Sequence, residues 1–351
     1  MSEFRVTIEP SQHSYMVPEG ETVLQSALDA GFVLPYGCRD GACGSCKGKL
    51  LDGKVDYGKH QSNALSEHEK RIGYALFCCA RPLSDLTIEC REISALKDVL
   101  VRQMPCRVQR VDKAAPDVAV VTVKLPANDR LQFLAGQYLD FMLKDGRRRS
   151  FSIATPPHTV DEAGELDLHM RHMPGGHFTD YVFSSMKERE ILRFEAPLGT
   201  FFLREDSGKP IVFVASGTGF APIKAMLEHA FHAGIDDRRA LVLYWGGRAR
   251  RDLYLDALPR AWAAAHPRFS YVPVLSDAGE DDRWQGRTGL VHQAVMEDFP
   301  DLSGHQVYAC GNPLMVEAAK RDFIARCALP EEEFFADSFT IAAASEATAQ
   351  A

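Results

Sequence analysis

The sequence lacks any apolar run long enough to cross a membrane. Stretches such as Ile211–Ala215 and Ala240–Trp245 are typical of its longest ones, whereas a transmembrane helix needs about 20 apolar residues. Charged residues in the first positions, Glu3, Arg5 and Glu9, are atypical of a secretory signal peptide. We therefore expect a cytoplasmic protein without a membrane partner, in which the nine cysteines are metal ligands or free thiols rather than disulfides.

A strongly basic segment and an internal repeat are also absent. The formal net charge is −8, and no stretch carries the density of Lys and Arg that nucleic acid attracts, so we expect no nucleic-acid partner. A hydrophobic fraction of 46% and a charged fraction of 25% exclude a disordered, collagen-like or coiled-coil chain. The length of 351 residues predicts two or three domains.

Three stretches of the chain differ in pattern. The first opens with a predicted hairpin, followed by a helix over 22–30 with Thr22 as N-cap and by a capping box from Ser66 to Glu69. The second is rich in short strands, at 118–125, 138–143, 150–154 and 166–171, with one helix near 179–186, which favours an antiparallel barrel. The third alternates strands and helices from Pro210 onward, the pattern of a doubly wound parallel sheet. We therefore expect units at 1–95, 104–205 and 206–340, a linker at 96–103 and a disordered tail at 341–351.

The most specific motif is a cysteine cluster. Cys38, Cys43 and Cys46 have the spacing C-x4-C-x2-C, and a fourth cysteine follows at Cys78 or Cys79. This is the spacing of plant-type [2Fe–2S] ligands, whereas zinc sites usually pair two C-x2-C clusters. Glycines within the loop let the backbone wrap closely around a cluster. We therefore predict an iron–sulfur site, with the fourth ligand open between the two neighbouring cysteines.

Two glycine-rich turns predict phosphate sites. Gly175 and Gly176 lead into a predicted helix, whose N-terminal N–H groups suit a phosphate. The segment Ser216-Gly217-Thr218-Gly219 follows a strand and opens a helix, which is the context of a dinucleotide-binding loop. It lacks the Gly-Lys-Ser/Thr ending of a P-loop, so an ATPase is not expected.

The first stretch resembles plant-type ferredoxins of bacterial electron-transfer chains, which have a β-grasp fold. In that family the fourth ligand lies in a Leu-x-Cys-x-x-x-Pro context, and Leu76, Cys78 and Pro82 match it. The resemblance therefore implies that Cys38, Cys43, Cys46 and Cys78 bind the cluster. The family often has Gln where Cys79 stands.

The second stretch resembles the FAD domain of the ferredoxin–NADP reductase superfamily, through Arg149-Ser150-Phe151-Ser152 and the segment RHMPGG. The resemblance implies that Arg149 binds the FAD pyrophosphate, that Phe151 packs on the flavin and that Ser152 lies near flavin N5 as a catalytic residue. It also implies that the following residues bind the cofactors: Ile153, Arg171, Gly175, Gly176 and Thr179.

The third stretch resembles the NAD domain of the same superfamily, through VASGTGFAPI and YACGNP. The resemblance implies that Gly217, Thr218 and Gly219 hold the dinucleotide. It also implies that Cys310 and Gly311 face the nicotinamide, with Cys310 catalytic, and that the catalytic Asp337 and the cofactor-binding Phe339 lie near the flavin. Tyr244–Arg248 resembles the NADH-using branch, although Arg248, Arg250 and Arg251 suit a 2′-phosphate; we expect NADH rather than NADPH.

The order ferredoxin, FAD domain, NAD domain resembles the reductase components of bacterial multicomponent oxygenases and, most of all, reductases of the CDP-6-deoxy-Δ3,4-glucoseen reductase type. The resemblance implies an enzyme that moves electrons from NADH through FAD and a [2Fe–2S] cluster to a separate acceptor, because a flavin converts a two-electron hydride into single electrons. That acceptor is an iron–sulfur dehydrase or, alternatively, an oxygenase. A redox sensor and a free-flavin reductase are the less favoured interpretations.

Overall fold

The computed structural model describes residues 2–97 and 99–339 and has two compact units. Among the described residues, the first unit contains 2–97 with Ser338 and Phe339, and the second contains 99–337. The predicted tail at 341–351 lies outside the described residues. No helix among the described residues has the length and apolarity that a membrane crossing requires.

The first unit is a β-grasp sheet of five strands, with the order β2-β1-β7-β3-β5, next to helix α1. Alternate residues of β1, Val6 and Ile8, are fully buried in its core, as the alternating sequence predicts. Thr22 caps α1 by accepting a hydrogen bond from the Gln25 amide, which confirms the predicted N-cap. The elements of this unit are β1 Glu3–Glu9, β2 His13–Pro18, α1 Val23–Asp29, β3 Lys47–Asp52, β4 Val55–Asp56, α2 Glu67–Arg71, β5 Tyr74–Leu76, β6 Arg81–Pro82 and β7 Leu86–Glu89.

The first half of the second unit is an antiparallel barrel of six strands, with the order β11-β10-β13-β8-β9-β12. A bridge between Ile153 and Leu168 joins the two outer strands and closes the barrel. The elements are β8 Arg102–Ala115, β9 Val118–Lys124, β10 Tyr138–Met142, β11 Arg148–Ser152, α3 Pro157–Ala163, β12 Glu165–Arg171, α4 His177–Ser184 and β13 Ile191–Leu198.

Two barrel strands were not predicted from the sequence. Strand β8 begins at Arg102, inside the stretch predicted as a linker, and buries Met104, Cys106 and Val108 on alternate positions. The residues between them are charged or polar, together with a proline, so the hydrophobic pattern is short and weak. Strand β13 likewise alternates charged and apolar residues at its start, Ile191–Glu195. Pairing with neighbouring strands stabilises both segments.

The second half of that unit is a doubly wound sheet with the order β17-β16-β15-β14-β18-β19, in which the first five strands are parallel. Its central strand β14 is fully buried over Ile211–Ala215, because helices cover both faces. The chain runs from β14 to strands on both of its sides, so the turn after β14 lies at the topological switch point where dinucleotides bind. The elements are β14 Ile211–Ser216, α5 Phe220–His232, β15 Leu241–Gly247, α6 Ala257–Ala265, β16 Phe269–Leu275, β17 Arg287–Thr288, α7 Val291–Asp298, β18 Gln306–Gly311, α8 Pro313–Arg326 and β19 Phe334–Ser338.

Candidate functional site

The cysteine loop between α1 and β3 folds around its own sulfur atoms. The Ala42 and Cys43 amides donate to Cys38 Sγ at 3.4 and 3.3 Å, and the Cys38 and Ser45 amides approach Cys43 Sγ at 3.4 and 3.5 Å. Backbone N–H groups aimed at sulfur stabilise thiolates, which are the form that binds metal. The loop is therefore preorganised for thiolate ligands.

The four predicted ligands form two pairs of thiols. The Cys38 thiol donates to Cys43, which raises the pKa of Cys38 and lowers the pKa of Cys43. Cys78, on the turn after β5, is hydrogen-bonded to Cys46 in the same way. Two pairs suit a cluster of two irons, each held by two protein sulfurs, whereas a structural zinc needs four ligands around one point. Within residues 2–97 and 99–339, no three His, Cys, Asp or Glu side chains converge on a position for a single ion.

A glycine allows the two cysteine-bearing segments to approach each other. Gly41 has a φ of +76°, and a side chain there would begin 2.7 Å from Cys79 Sγ and 2.9 Å from the Lys59 carbonyl oxygen. No other residue type fits this position without displacing the loop. The thiol set and this close approach together fit a [2Fe–2S] cluster.

The barrel places the predicted flavin residues along β11. Arg149 and Phe151 are partly buried, whereas Ser152 is buried at the end of the strand. Phe151 packs against Phe178 of α4, with ring centroids 5.6 Å apart. Ile153, one residue beyond β11, is fully buried in the barrel core. The roles of these residues toward FAD stay predictions.

The turn before α4 is tightly folded. Gly175 has a φ of +81°, and its amide donates to the Asp180 carboxylate at 3.1 Å. A side chain on Gly176 would begin 2.8 Å from Thr179 Oγ1, and Thr179 Oγ1 accepts from the Met173 amide at 3.2 Å. The predicted phosphate-binding residues Gly175, Gly176 and Thr179 therefore lie together at the start of this helix.

The glycine loop after β14 lies directly against the end of β18. A methyl group on Gly219 would overlap the Cys310 carbonyl, and one on Gly311, whose φ is +127°, would overlap Ser216. The Asn312 amide also donates to Ser216 Oγ at 2.8 Å. The structure thus brings together the predicted residues Gly217, Thr218, Gly219, Cys310 and Gly311. In dinucleotide-binding folds, glycine in this turn permits such close packing against the sheet.

Arg171, at the end of barrel strand β12, reaches this glycine loop. Its Nη2 lies 3.3 Å from where a side chain on Gly217 would begin. The guanidinium lies 3.6 Å from the Asp117 carboxylate and 3.9 Å from the Asp252 carboxylate, and its buried Nε and Nη2 make no hydrogen bond among the described residues. Buried guanidinium N–H groups that make no hydrogen bond, beside a dinucleotide loop, fit a pyrophosphate ligand.

The three parts of the chain match three known protein families. The [2Fe–2S] iron–sulfur cluster binding domain matches residues 6–83, the oxidoreductase FAD-binding domain matches 105–203, and the oxidoreductase NAD-binding domain matches 213–321. The chain belongs to the flavin and iron–sulfur reductases of the ferredoxin–NADP reductase superfamily. The predicted FAD, NAD and [2Fe–2S] cofactors and the three-part fold are confirmed for this reductase.

Relatives match the reductase over nearly its whole length. The CDP-6-deoxy-L-threo-D-glycero-4-hexulose-3-dehydrase reductase of Yersinia pseudotuberculosis is 40% identical, over 95% of this chain and 98% of that protein. The reductase component of phenol 2-monooxygenase from a Pseudomonas strain is 36% identical, over 97% of this chain and 95% of that protein. The solved cytochrome P450 reductase GcoB of Amycolatopsis has 32% identity and a TM-score of 0.76, over 96% of this chain and 99% of that one.

In the reductase, Cys310 is buried from solvent at the end of β18. The side chain is fully buried, and burial together with the charge of Asp337 raises the thiol pKa well above its usual value. Asp337 is half-buried on β19, and Phe339 is half-buried one residue beyond that strand. Cys310 is therefore a neutral thiol at physiological pH, and the catalytic roles of Cys310 and Asp337 stay predictions.

One side chain that holds the glycine loop, Trp245, was missed by the sequence analysis. A second buried side chain, His169, lies 6.5 Å from Phe220 at the start of α5, measured between ring centroids. Trp245, fully buried on β15, donates its indole N–H to the Gly217 carbonyl at 3.1 Å and stacks on Phe220 at 4.0 Å. His169 of the barrel is hydrogen-bonded to the Tyr254 hydroxyl at 2.8 Å, and burial lowers its pKa to about 3. The sequence signal for Trp245 was its position near the end of the strand after β14. Neighbouring parallel strands end at the same edge of the sheet, so this side chain could be expected near the glycine loop.

Proposed function

We propose that this reductase oxidises NADH and passes the electrons singly to a separate acceptor protein by way of its cysteine loop. The observation that carries the proposal is the presence, in one chain, of a dinucleotide loop, a barrel with the flavin motifs and two preorganised thiol pairs. When bound, FAD takes up a hydride and releases single electrons, which the [2Fe–2S] cluster carries.

The residues of the chain bind and orient the nicotinamide cofactor in this proposal. Arg171 donates from Nε and Nη2, which make no hydrogen bond among the described residues, to the pyrophosphate, while the backbone of Gly217–Gly219 follows the phosphates closely. Cys310, neutral and fully buried, excludes water beneath the nicotinamide position without adding a charge there. The barrel residues Ser152 and Phe151 position the flavin.

The preference for NADH over NADPH is supported by Asp252. This buried carboxylate accepts hydrogen bonds from the Arg248 amide and from Arg248 Nε, each at 2.9 Å. Arg248 is therefore already neutralised, and a 2′-phosphate there would meet a carboxylate. Asp252→Ser is expected to narrow the preference for NADH over NADPH, measured as the ratio of kcat/KM values.

We propose an iron–sulfur dehydrase of a CDP-hexulose as the first candidate acceptor, because the 40% identical Yersinia relative bears that name. A terminal oxygenase is the second candidate, supported by the 36% identical phenol 2-monooxygenase component. We also propose a cytoplasmic location, since none of the nine cysteines, all of which lie among the described residues, forms a disulfide, as a reducing compartment favours.

Steady-state assays with three acceptors test the proposal. NADH consumption is measured with ferricyanide, which accepts electrons directly from the flavin, with cytochrome c, and with each purified candidate acceptor. We expect turnover with all three classes, and at least tenfold stimulation by the dehydrase relative to the oxygenase. NADH turnover with free flavin alone would favour the flavin reductase, and no turnover with any acceptor would favour the sensor.

A further inference from the structure

The cluster site contains five thiols where a [2Fe–2S] cluster uses four. Cys79 Sγ lies 3.6 Å from Cys78 Sγ, and both side chains are buried. Two sulfurs on one tetrahedral metal, each at about 2.3 Å, are separated by about 3.7 Å. The distance from Cys79 Sγ to Cys78 Sγ, the ligand that the family motif assigns, therefore matches that between two sulfurs bound to one metal.

Both thiols contact the same residue of the cysteine loop. The Gly41 amide donates to Cys78, while Cys79 Sγ occupies the space where a side chain on Gly41 would be. The turn that carries them is fixed from behind, because the Cys79 and Ala80 amides donate to the Leu76 carbonyl at 2.9 and 2.8 Å. A rigid turn thus presents two adjacent sulfurs to one side of the loop.

We propose that Cys79 is a reserve ligand. It binds the iron assigned to Cys46 and Cys78 when Cys78 does not bind that iron. The Cys79 thiol gives its proton to solvent, its sulfur donates an electron pair to the vacated iron position, and no oxidation state changes. The inference rests on the proposed function, since it requires that the loop binds a cluster. Cys38 and Cys43 have no such substitute: each is hydrogen-bonded to the other and, among the described residues, to no third cysteine.

Alanine variants of the full chain test the reserve ligand. Wild type, Cys78→Ala, Cys79→Ala and the double variant are reconstituted anaerobically with iron and sulfide, and bound iron, the visible spectrum and the EPR spectrum after dithionite reduction are measured. Cys79→Ala should match wild type. Cys78→Ala should keep at least half of the iron with shifted g values, and the double variant should keep less than a tenth.

Cys43→Ala provides the matched control, because it removes a ligand that has no neighbouring spare thiol. It should lose the cluster as completely as the double variant does. Circular dichroism checks that each variant is folded. If Cys78→Ala does not fold, Cys78→Ser and Cys78→Ser/Cys79→Ala replace the pair, and the proposal requires that their EPR spectra differ.

Three outcomes would contradict the proposal, and they can be told apart. A Cys78→Ala protein that is folded and as empty as the double variant overturns the reserve role. An altered spectrum in Cys79→Ala with an unchanged one in Cys78→Ala makes Cys79 the native ligand and overturns it as well. A wild-type chain that takes up no cluster contradicts the proposed function itself.

Discussion

The cysteine loop of the first unit and the glycine loop of the second unit both wrap backbone around a cofactor site, but different contacts hold them. In the cysteine loop, amides and sulfurs that meet are two to five residues apart in sequence. The glycine loop is fixed by residues far away in sequence, among them Trp245, Arg171 and Cys310. The three-cysteine loop of the first site is therefore a local structure, to which a later segment adds Cys78, whereas the glycine loop depends on contacts across its whole unit.

This difference leads to different expectations for substitutions. A cluster that takes three of its four ligands from one loop should be lost entirely when one irreplaceable ligand is removed. The glycine loop is held by several residues distant in sequence. Each substitution there should lower the affinity for NADH by an amount set by the interaction that is lost. We expect the largest effect from loss of a cluster ligand and the smallest from loss of one hydrogen bond to the glycine loop.

Cys43→Ala should abolish the cluster and lower cytochrome c reduction at least 100-fold, because it removes a sulfur on which two backbone amides converge and which nothing replaces. Reduction of ferricyanide with NADH should change less than twofold, since it bypasses the cluster. Cys327→Ala, a buried cysteine of the other unit, is the control and should leave both activities unchanged. Equal loss of both activities would mean that the two sites are not independent.

Gly219→Ala should lower kcat/KM for NADH by about 100-fold or more, because its methyl group would overlap the Cys310 carbonyl and displace the loop from β18. Gly208→Ala is the matched control, since nothing lies within 4 Å of a side chain there. Stopped-flow flavin reduction measures both variants. Wild-type kinetics for Gly219→Ala would contradict the close approach of the loop and β18.

Arg171→Gln should raise the Kd for NADH about 10- to 100-fold, the loss of a charge-assisted pair of about 1.5–3 kcal/mol. Arg171→Lys should recover part of the affinity, because it keeps the charge but not the fork of donors. Arg238→Gln removes an exposed arginine of the same unit and should have no effect. An unchanged Kd together with loss of bound FAD would assign Arg171 to the flavin instead.

The pH dependence of stability should reflect His169. Its folded pKa of about 3 lies below the unfolded value of about 6.5, so the neutral buried form stabilises the protein above pH 6.5 and this contribution is lost as the pH falls. Between pH 7 and pH 5 the loss amounts to about 2 kcal/mol. In urea unfolding, the free energy of unfolding of His169→Gln should therefore fall less between pH 7 and pH 5 than that of wild type. His68→Gln, at an exposed position, should follow wild type.

Trp245→Phe should raise the KM for NADH about two- to tenfold with less than a twofold change in kcat, because it removes one hydrogen bond to the Gly217 carbonyl but keeps a ring against Phe220. Trp284→Phe is the control, because it also removes an indole, here half-buried, that donates to a backbone carbonyl, that of Arg287. A fall in kcat without a change in KM would assign Trp245 to the chemical step.

The local site was predictable from the sequence, and the assembled site only in part. Three ligands within nine residues specify the cysteine loop, and the glycine turn after β14 specifies the switch point. The approach of Arg171 to Gly217 was not predictable, because it depends on how β12 of the barrel meets the sheet domain. Strand β8 was missed for a related reason, since its polar outer face gives little hydrophobic signal.

The most direct test of the central claim is an anaerobic stopped-flow experiment in which the reconstituted protein is mixed with NADH. Flavin absorbance, cluster absorbance and the EPR signal of the frozen product are followed on the same sample. The proposed order predicts that the flavin band bleaches first, that the cluster band follows, and that Cys43→Ala shows only the first phase. Flavin bleaching with an oxidised cluster in the wild-type protein, or no bleaching with NADH, would contradict it.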